Sequence, residues 1–202
     1  MPKPWRVLDS RTQYKDRFLA HRMDKCETPQ GQIVDPYHVI ALPNWVNMVA
    51  VTEDHQVLMV REYRHGIGDV LLGLPSGAVD PGETEPVSTA RRELREETGA
   101  EALHWIQTGR MYPDAAIMTN SCFSLLAVGA RITGETNFDD AEDIETVPMP
   151  IQDLYRQLLA RTLVMSAVHL LNLHETGLYI MTADDPLVAS LRAELAPIYA
   201  PR

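Results

Sequence analysis

The sequence predicts a mixed fold in which helices pack against a β-sheet. Apolar stretches rich in β-forming residues flank one long helical stretch, and amphipathic helical patterns occupy the C-terminal third. The resulting order of strands, loop, helix, strands and helix is typical of an α/β or α+β sandwich. The first 43 residues are polar with short alternating stretches, and they predict a small separate β-rich unit.

Strand signals recur before and after the central helix. Residues 31–42 alternate and predict a strand with a turn at Asp35-Pro36. Residues 70–86 begin as a strand and then break into a loop with three glycines and three prolines, a composition that lets a backbone approach a ligand closely. Further strands are predicted as a pair within 47–63, at 104–112, at 121–132 and after an acidic loop that begins at residue 139.

The helix predicted at 87–98 has clear start and stop signals. The stretch contains no breaker and places apolar residues at helical spacing. Pro86 suits a first helical turn, and Gly99 stands where a left-handed C-terminal cap is expected. Additional helices are predicted within 151–177 and 186–196.

Composition and charge exclude several function classes. The formal net charge of -10 argues against a general nucleic-acid binder, which needs a basic surface to neutralise phosphates. Cys26 and Cys122 form no disulfide framework, which favours a reducing compartment. The sequence contains no apolar run of membrane-spanning length, and its start has no signal-peptide pattern, so a cytoplasmic protein without a membrane partner is expected.

Glu93, Glu96 and Glu97 lie within a single predicted helical turn. Like charges at this spacing repel each other, so the arrangement needs a physical reason. A helix rises about 1.5 Å per residue, so the three carboxylates converge on one flank and can bind a hard divalent cation. The alternative is a solvated surface helix in which Arg92 and Arg95 pair with the acids.

The stretch LPSGAVDPGETEPVSTARRELREETG, residues 74–99, resembles the Nudix box. That pattern is a glycine, five residues, a glutamate, seven residues, then Arg-Glu-apolar-x-Glu-Glu-x-Gly. The matching residues here are Gly77, Glu83, Arg92, Glu93, Leu94, Glu96, Glu97 and Gly99. One departure is that eight residues separate Glu83 from Arg92; the extra residue is expected in the loop around Thr84-Glu85, and Glu85 could substitute for Glu83.

The resemblance extends to the ADP-ribose pyrophosphatase-like subgroup of Nudix hydrolases. The segments VREYRHGIGDVLLGLPSG and EDIETVPMPIQDLYRQLLARTLVMSAVHLLNL are similar to the stretch before the box and to the late acidic loop with its closing helix. The resemblance implies an α/β/α sandwich around a mixed sheet at 44–202. It also implies a β-rich N-terminal extension at 1–43, commonly exchanged between the subunits of a homodimer.

The same resemblance implies the chemistry and the metal ligands. Nudix hydrolases use Mg²⁺ or Mn²⁺ to cleave a small-molecule nucleoside diphosphate linked to another moiety, X. The match assigns metal binding to Glu93, Glu96, Glu97 and the backbone carbonyl of Ser76. Glu96 is also counted with the catalytic residues, as is Arg92, which would hold the glutamates in orientation.

Residues outside the helix complete the expected site. The resemblance places a general base in the acidic loop, where Glu142 is the best match and Asp140 and Glu145 are alternatives. Arg64 lies where the subgroup contacts substrate, and Glu83 is also expected at the substrate.

Two departures leave the substrate open. The subgroup often has a glutamate where this chain has Gly73, and residues 112–121 lack the glycine and acid often found in the equivalent substrate loop. ADP-ribose, cleaved to AMP and ribose 5-phosphate, is the leading substrate; other nucleotide sugars and dinucleotides are the alternatives. A non-catalytic nucleotide sensor is the competing class, although all three box glutamates are present.

Overall fold

The chain forms two compact units in a computed structural model that describes residues 1–138 and 143–200. One unit comprises Met1–Asn44 with Met111–Cys122, and the other comprises Trp45–Arg110 with Phe123–Arg202. The domain boundary expected between residues 43 and 44 stays a prediction. Across the described residues, no helix combines the length and apolar character needed to cross a membrane.

The N-terminal unit contains a three-stranded antiparallel sheet. Its strands are β1 (Arg6–Lys15), β2 (Ala20–Glu27) and β3 (Ile33–Ala41), in the order β1-β2-β3. Every residue of β1 is exposed. Strand β3 confirms the strand predicted around residues 31–42, and the region before it holds two more strands.

The turn predicted at Asp35-Pro36 was wrong, because β3 continues through both residues. Proline has no N–H with which to bond a neighbouring strand, so a break was expected there. The two residues are accommodated by a register shift instead. Between the pairs Asp24–Tyr37 and Cys26–Val34, one residue of β2 lies opposite Asp35 and Pro36, so β3 carries one extra residue there. The Asp35–Pro36 peptide bond is cis.

The second unit contains an eight-stranded mixed sheet. Its strands are β4 (Trp45–Thr52), β5 (Gln56–Arg64), β6 (Asp69–Gly73), β7 (Ser76–Ala78), β8 (Ala100–Glu101), β9 (His104–Met111), β10 (Cys122–Ile132) and β11 (Ile144–Pro150). The main path runs β11-β5-β4-β10-β8, while β6 pairs with β5, β7 with β4 and β9 with β10.

Among its described residues, the second unit has four α-helices: α1 (Pro86–Thr98), α2 (Ile151–Ala160), α3 (Ala167–Thr182) and α4 (Ala189–Tyr199). A short 3-10 helix at Pro186–Val188 precedes α4. All the helices predicted from the sequence are confirmed, and the stretch predicted as one or two helices forms two.

The two faces of the sheet carry separate hydrophobic cores. Successive side chains of a strand point to opposite faces. In β4, Val49 and Val51 belong to the core that packs against α2, α3 and α4, whereas Met48 and Ala50 belong to the core that packs against α1. This alternation produces the expected α/β/α sandwich and places α1 alone on one face.

Both cysteines are buried, and neither forms a disulfide bond in the described part of the chain. Cys26 lies on β2, and Cys122 is the first residue of β10.

A buried amide network connects α3 to the sheet. The Asn172 side-chain amide donates to the Asn47 backbone carbonyl at 3.0 Å and to Asn47 Oδ1 at 2.5 Å, and its oxygen accepts from the Thr176 hydroxyl at 2.9 Å. All three residues are fully buried. The network therefore holds the helix in one register against β4.

We expect Asn172→Leu to lower the free energy of unfolding by about 1–3 kcal/mol, because the two hydrogen bonds from Asn172 to Asn47 are lost inside the core. Urea denaturation of the variant and the wild type measures the change. Leu178→Ala, at an exposed position on the same helix, is the control and should shift the value by less than about 0.5 kcal/mol. Equal stabilities for Asn172→Leu and the wild type would contradict the prediction.

Candidate active site

Helix α1 is positioned by its apolar face and its C-terminal cap. Ala90 and Leu94 are fully buried against the sheet. Gly99 adopts φ 66°, a left-handed conformation suited to glycine, and its N–H bonds to the Arg95 carbonyl. The start and stop predicted from the sequence are confirmed, and the side chains of the box glutamates project from a helix of known orientation.

Glu97 ties the helix to the strand that precedes the loop. Glu97 is only 4% exposed, and its Oε2 accepts a hydrogen bond from the Ser76 backbone N–H at 3.0 Å. A buried carboxylate is costly unless it is hydrogen-bonded. The bond to Ser76 thus holds this carboxylate at the start of β7.

Gly77 makes room for Glu93. A Cβ atom at position 77 would lie 2.0 Å from the Glu93 carboxyl carbon and from its Oε1. No side chain fits at that distance, so the glycine of the box is required by the approach of the carboxylate. Glu93 and Glu97 therefore both pack against the backbone of residues 76–77.

Arg92 lies among the acids of the loop and the helix. Its guanidinium is 2.8 Å from both Glu93 Oε1 and Glu96 Oε2, and 3.5 Å from Asp80. Burial alone would lower the pKa of Arg92, but Glu93, Glu96 and Asp80 together raise it above its ordinary value. The structure thus places Arg92 between two of the three helix glutamates, and its orienting role stays a prediction.

The donor set fits a hard divalent cation. Within the described residues, no three His, Cys, Asp or Glu side chains already form a ligand cluster, since Glu93 and Glu96 pair with Arg92. The Glu93 and Glu97 carboxylates nevertheless both lie against the backbone of residues 76–77, and Arg92 joins Glu96 to Glu93. The buried Ser76 Oγ has no hydrogen-bond partner in the described part of the chain. An all-oxygen set of this kind suits Mg²⁺ or Mn²⁺.

Glu83 contacts the first turns of α1. Its carboxylate accepts a hydrogen bond from the hydroxyl of Thr89, which is fully buried. Glu85 is the N-cap residue of the helix, and its side chain makes no capping hydrogen bond. The expected role of Glu83 at the substrate stays a prediction.

Arg64 lines a cleft of about 450 Å³ between the β5–β6 turn and the start of α3. Its guanidinium pairs with Glu62 at 2.8 Å, and Ser166 and His169 line the same cleft. Its substrate contact also stays a prediction.

The predicted general base falls mainly outside the described residues. Glu142 and Asp140 both lie in 139–142, which the structure does not describe. Glu145 lies on β11, where it is exposed and forms an ion pair with Arg61. The choice among these three acids stays open.

A cleft of about 740 Å³ along α1 was not predicted from the sequence. It is lined by Arg91, Arg92, Arg95, Glu96, Glu101, Ala102, Trp105, Glu135 and Asn137. The Arg91 guanidinium lies 5.5 Å from the centre of the Trp105 ring, and the Asn137 N–H donates to the Glu96 carbonyl. No local pattern marks Trp105, because it meets Arg91 only after folding.

His169 on α3 is a buried histidine held neutral. Burial and the nearby Arg64 charge lower the pKa of His169 to about 4. Because the unfolded chain, with a pKa of about 6.5, binds the proton more readily, stability must fall as the pH drops from 6.5 towards 4.

We expect His169→Asn to remove part of this pH dependence. The shift corresponds to about 3 kcal/mol, so the stability difference between wild type and variant should change by that amount between pH 7 and pH 4, to the disadvantage of the wild type at low pH. Denaturant unfolding at several pH values measures it. His174→Asn, exposed on the same helix, should retain the wild-type dependence; parallel curves for all three proteins would refute the prediction.

Comparison with known proteins assigns both parts of the chain. Residues 42–168 match the NUDIX domain, and residues 5–40 match the nucleoside diphosphate sugar hydrolase N-terminal domain. The chain belongs to the Nudix family. Helix α1 and the backbone of residues 76–77 lie within the first match, so this Nudix protein is a hydrolase that acts on pyrophosphate bonds.

Relatives and a solved structure support the same family. The chain is 31% identical to the ADP-ribose pyrophosphatase of Mycobacterium tuberculosis, over 79% of this chain and 77% of that protein. It is 30% identical to the CMP-5'-(N-acetyl-N-hydroxy-3-aminopropyl)phosphonate hydrolase of Streptomyces rubellomurinus, over 72% and 70%. A crystal structure of an ADP compounds hydrolase has TM-score 0.77 at 21% identity, covering 89% of this chain and 96% of that one, which shows the fold. Nudix hydrolases generally depend on divalent metals.

Proposed function

We propose that this Nudix hydrolase cleaves ADP-ribose to AMP and ribose 5-phosphate in a reaction that requires Mg²⁺ or Mn²⁺. The observation that carries the proposal is the packing of Glu93 and Glu97 against the backbone of residues 76–77, with Arg92 between Glu93 and Glu96. The similarity to a protein named ADP-ribose pyrophosphatase supports the choice of substrate.

Both the proposed substrate and the protein carry negative charge, so a bound cation is needed to bring them together. Bound divalent metal would supply Lewis acidity at the diphosphate and would help to activate water. Glu93, Glu96, Glu97 and the Ser76 carbonyl would hold it. Arg92 keeps the carboxylates oriented, while its positive charge offsets their mutual repulsion.

The hydrolytic step needs a proton acceptor and substrate contacts. The oxygen of the attacking water forms a bond to phosphorus, the bridging P–O bond breaks, and the water proton passes to a carboxylate. We assign that carboxylate to Glu142, with Asp140 and Glu145 as alternatives. Arg64 and Glu83 are proposed to contact the substrate.

The leading alternative is another nucleotide sugar or a dinucleotide. Gly73 and residues 112–121 depart from the ADP-ribose pyrophosphatase-like pattern. A relative of similar identity is named for a CMP-linked phosphonate, which supports testing bases other than adenine.

The test is product release from a panel of nucleoside diphosphate derivatives in the presence of Mg²⁺, Mn²⁺ or chelator. ADP-ribose cleaved to AMP and ribose 5-phosphate, and abolished by chelator, supports the proposal. Faster cleavage of another panel member retains the mechanism and replaces the substrate. Tight nucleotide binding without turnover on any member would instead indicate a sensor.

We also propose a cytoplasmic homodimer associated through the N-terminal extension. Cys26 and Cys122 form no disulfide bond in the described part of the chain, which supports a reducing location. The exposed apolar residues Trp5, Val7 and Leu8 on or beside β1 support association. Light scattering of the chain before and after substitution of Val7 and Leu8 by serine tests the dimer; an unchanged mass would refute this interface.

A further inference from the structure

The ring of His169 occupies the space beside Gly73. A Cβ atom at position 73 would lie 3.0 Å from His169 Nδ1 and 3.2 Å from its Cε1. The residue is 4% exposed, so the imidazole has little freedom to move away. Gly73 and His169 are therefore a matched pair, although 96 positions separate them in the chain.

The same ring nitrogen accepts a backbone hydrogen bond. The Leu74 N–H donates to His169 Nδ1 at 3.2 Å. Leu74 lies between β6 and β7 and is fully buried, and a buried backbone donor requires an acceptor. For Nδ1 to accept, the neutral ring must carry its proton on Nε2.

Three consecutive residues are thus fixed from three directions. The Leu74 N–H bonds to α3 through His169, the Pro75 carbonyl accepts the Met48 N–H of β4, and the Ser76 N–H bonds to Glu97 of α1. Residues 74–76 lead directly to Gly77, against which the Glu93 carboxylate packs. Displacement at Leu74 is therefore transmitted to the predicted metal ligands by two covalently linked residues.

We propose that His169 is a positioning residue, which fixes the backbone of residues 73–76 so that Ser76 and Gly77 meet Glu97 and Glu93 in the metal-binding arrangement. The inference rests on the proposed function for its metal, but it concerns a residue outside the Nudix box. The positioning role predicts that metal affinity depends on a hydrogen-bond acceptor at the place of His169 Nδ1, on helix α3.

The main experiment compares His169→Leu, which removes the acceptor, with His169→Asn, whose side-chain oxygen can replace Nδ1. Mn²⁺ affinity is measured by electron paramagnetic resonance without substrate, and hydrogen exchange of the Leu74 amide is measured by NMR. We expect His169→Leu to lose about 10- to 100-fold in Mn²⁺ affinity, as for other residues that orient metal ligands. The Leu74 amide should exchange faster in the same variant, and His169→Asn should restore most of both properties.

Two further variants guard against a purely structural explanation. Gly73→Ala keeps the imidazole and displaces it, so it should weaken Mn²⁺ binding in the same direction. His174→Leu, on the exposed side of α3, should leave Mn²⁺ affinity and Leu74 exchange unchanged.

The outcomes separate this inference from the proposed function. Unchanged Mn²⁺ affinity in His169→Leu, or equal losses in the Asn and Leu variants, would overturn the positioning role even if the wild type binds Mn²⁺ and hydrolyses its substrate. A wild type that neither binds Mn²⁺ nor turns over any panel member would overturn the proposed function, and the positioning role with it.

Discussion

Glu97→Gln is expected to lower kcat by at least about 100-fold, more than typical losses at residues that only orient a ligand. The physical reason is the loss of one negative charge from the predicted metal site. The glutamine oxygen can still accept the Ser76 N–H, so the buried hydrogen bond of the wild type is retained. Steady-state kinetics with saturating Mg²⁺ and thermal unfolding of the same samples measure the two effects.

The control for Glu97→Gln removes the same charge from a surface glutamate. Glu53 pairs with Arg131 at an exposed position, so Glu53→Gln should retain wild-type kcat. A Glu97→Gln variant with full activity and unchanged metal dependence would show that the Glu97 charge has only a structural role.

Gly77→Ala is expected to abolish most activity and to destabilise the fold. The added methyl would lie 2.0 Å from the Glu93 carboxylate, so the side chain or the backbone of β7 must move. Forced overpacking of this kind costs about 1–3 kcal/mol. Urea denaturation measures the cost, and Mn²⁺ titration measures the displacement of Glu93.

Gly134→Ala is the matched control for Gly77→Ala. A Cβ at position 134 meets no atom within 4 Å, and this glycine does not adopt a left-handed φ. The variant should therefore bind Mn²⁺ as the wild type does. Equal behaviour of the two alanine variants would remove the argument that the box glycine is required by the approach of Glu93.

Local signals predicted the helix of the site because they lie within it. Pro86 and Gly99 mark its ends, and Ala90 and Leu94 mark its buried face, so no distant residue was needed. Helical geometry alone predicted that the glutamates converge on one flank, and the structure places Glu93 and Glu97 against the backbone of residues 76–77. The resemblance to the Nudix box then singled out Gly77 as a matching position, for which the structure supplies a steric reason.

Contacts between distant segments could not be predicted from the same patterns. Nothing in the sequence near His169 shows that its ring lies against Gly73, or that Trp105 lies beside Arg91. The turn expected at Asp35-Pro36 was wrong for a related reason, since β3 stays paired with β2 and takes up the two residues as a bulge opposite one residue of β2. Pairing across a sheet is decided by both strands, and a single segment describes only one of them.

The two buried thiols provide a built-in probe of local opening. A thiol reagent reaches a buried cysteine only when the surrounding structure opens, so the rate of labelling reports the frequency of that event. Cys26 reports on the three-stranded sheet, while Cys122 reports on the first residue of β10. Single-cysteine variants labelled under native conditions would therefore give the rates of the two opening events separately, with no probe attached beforehand.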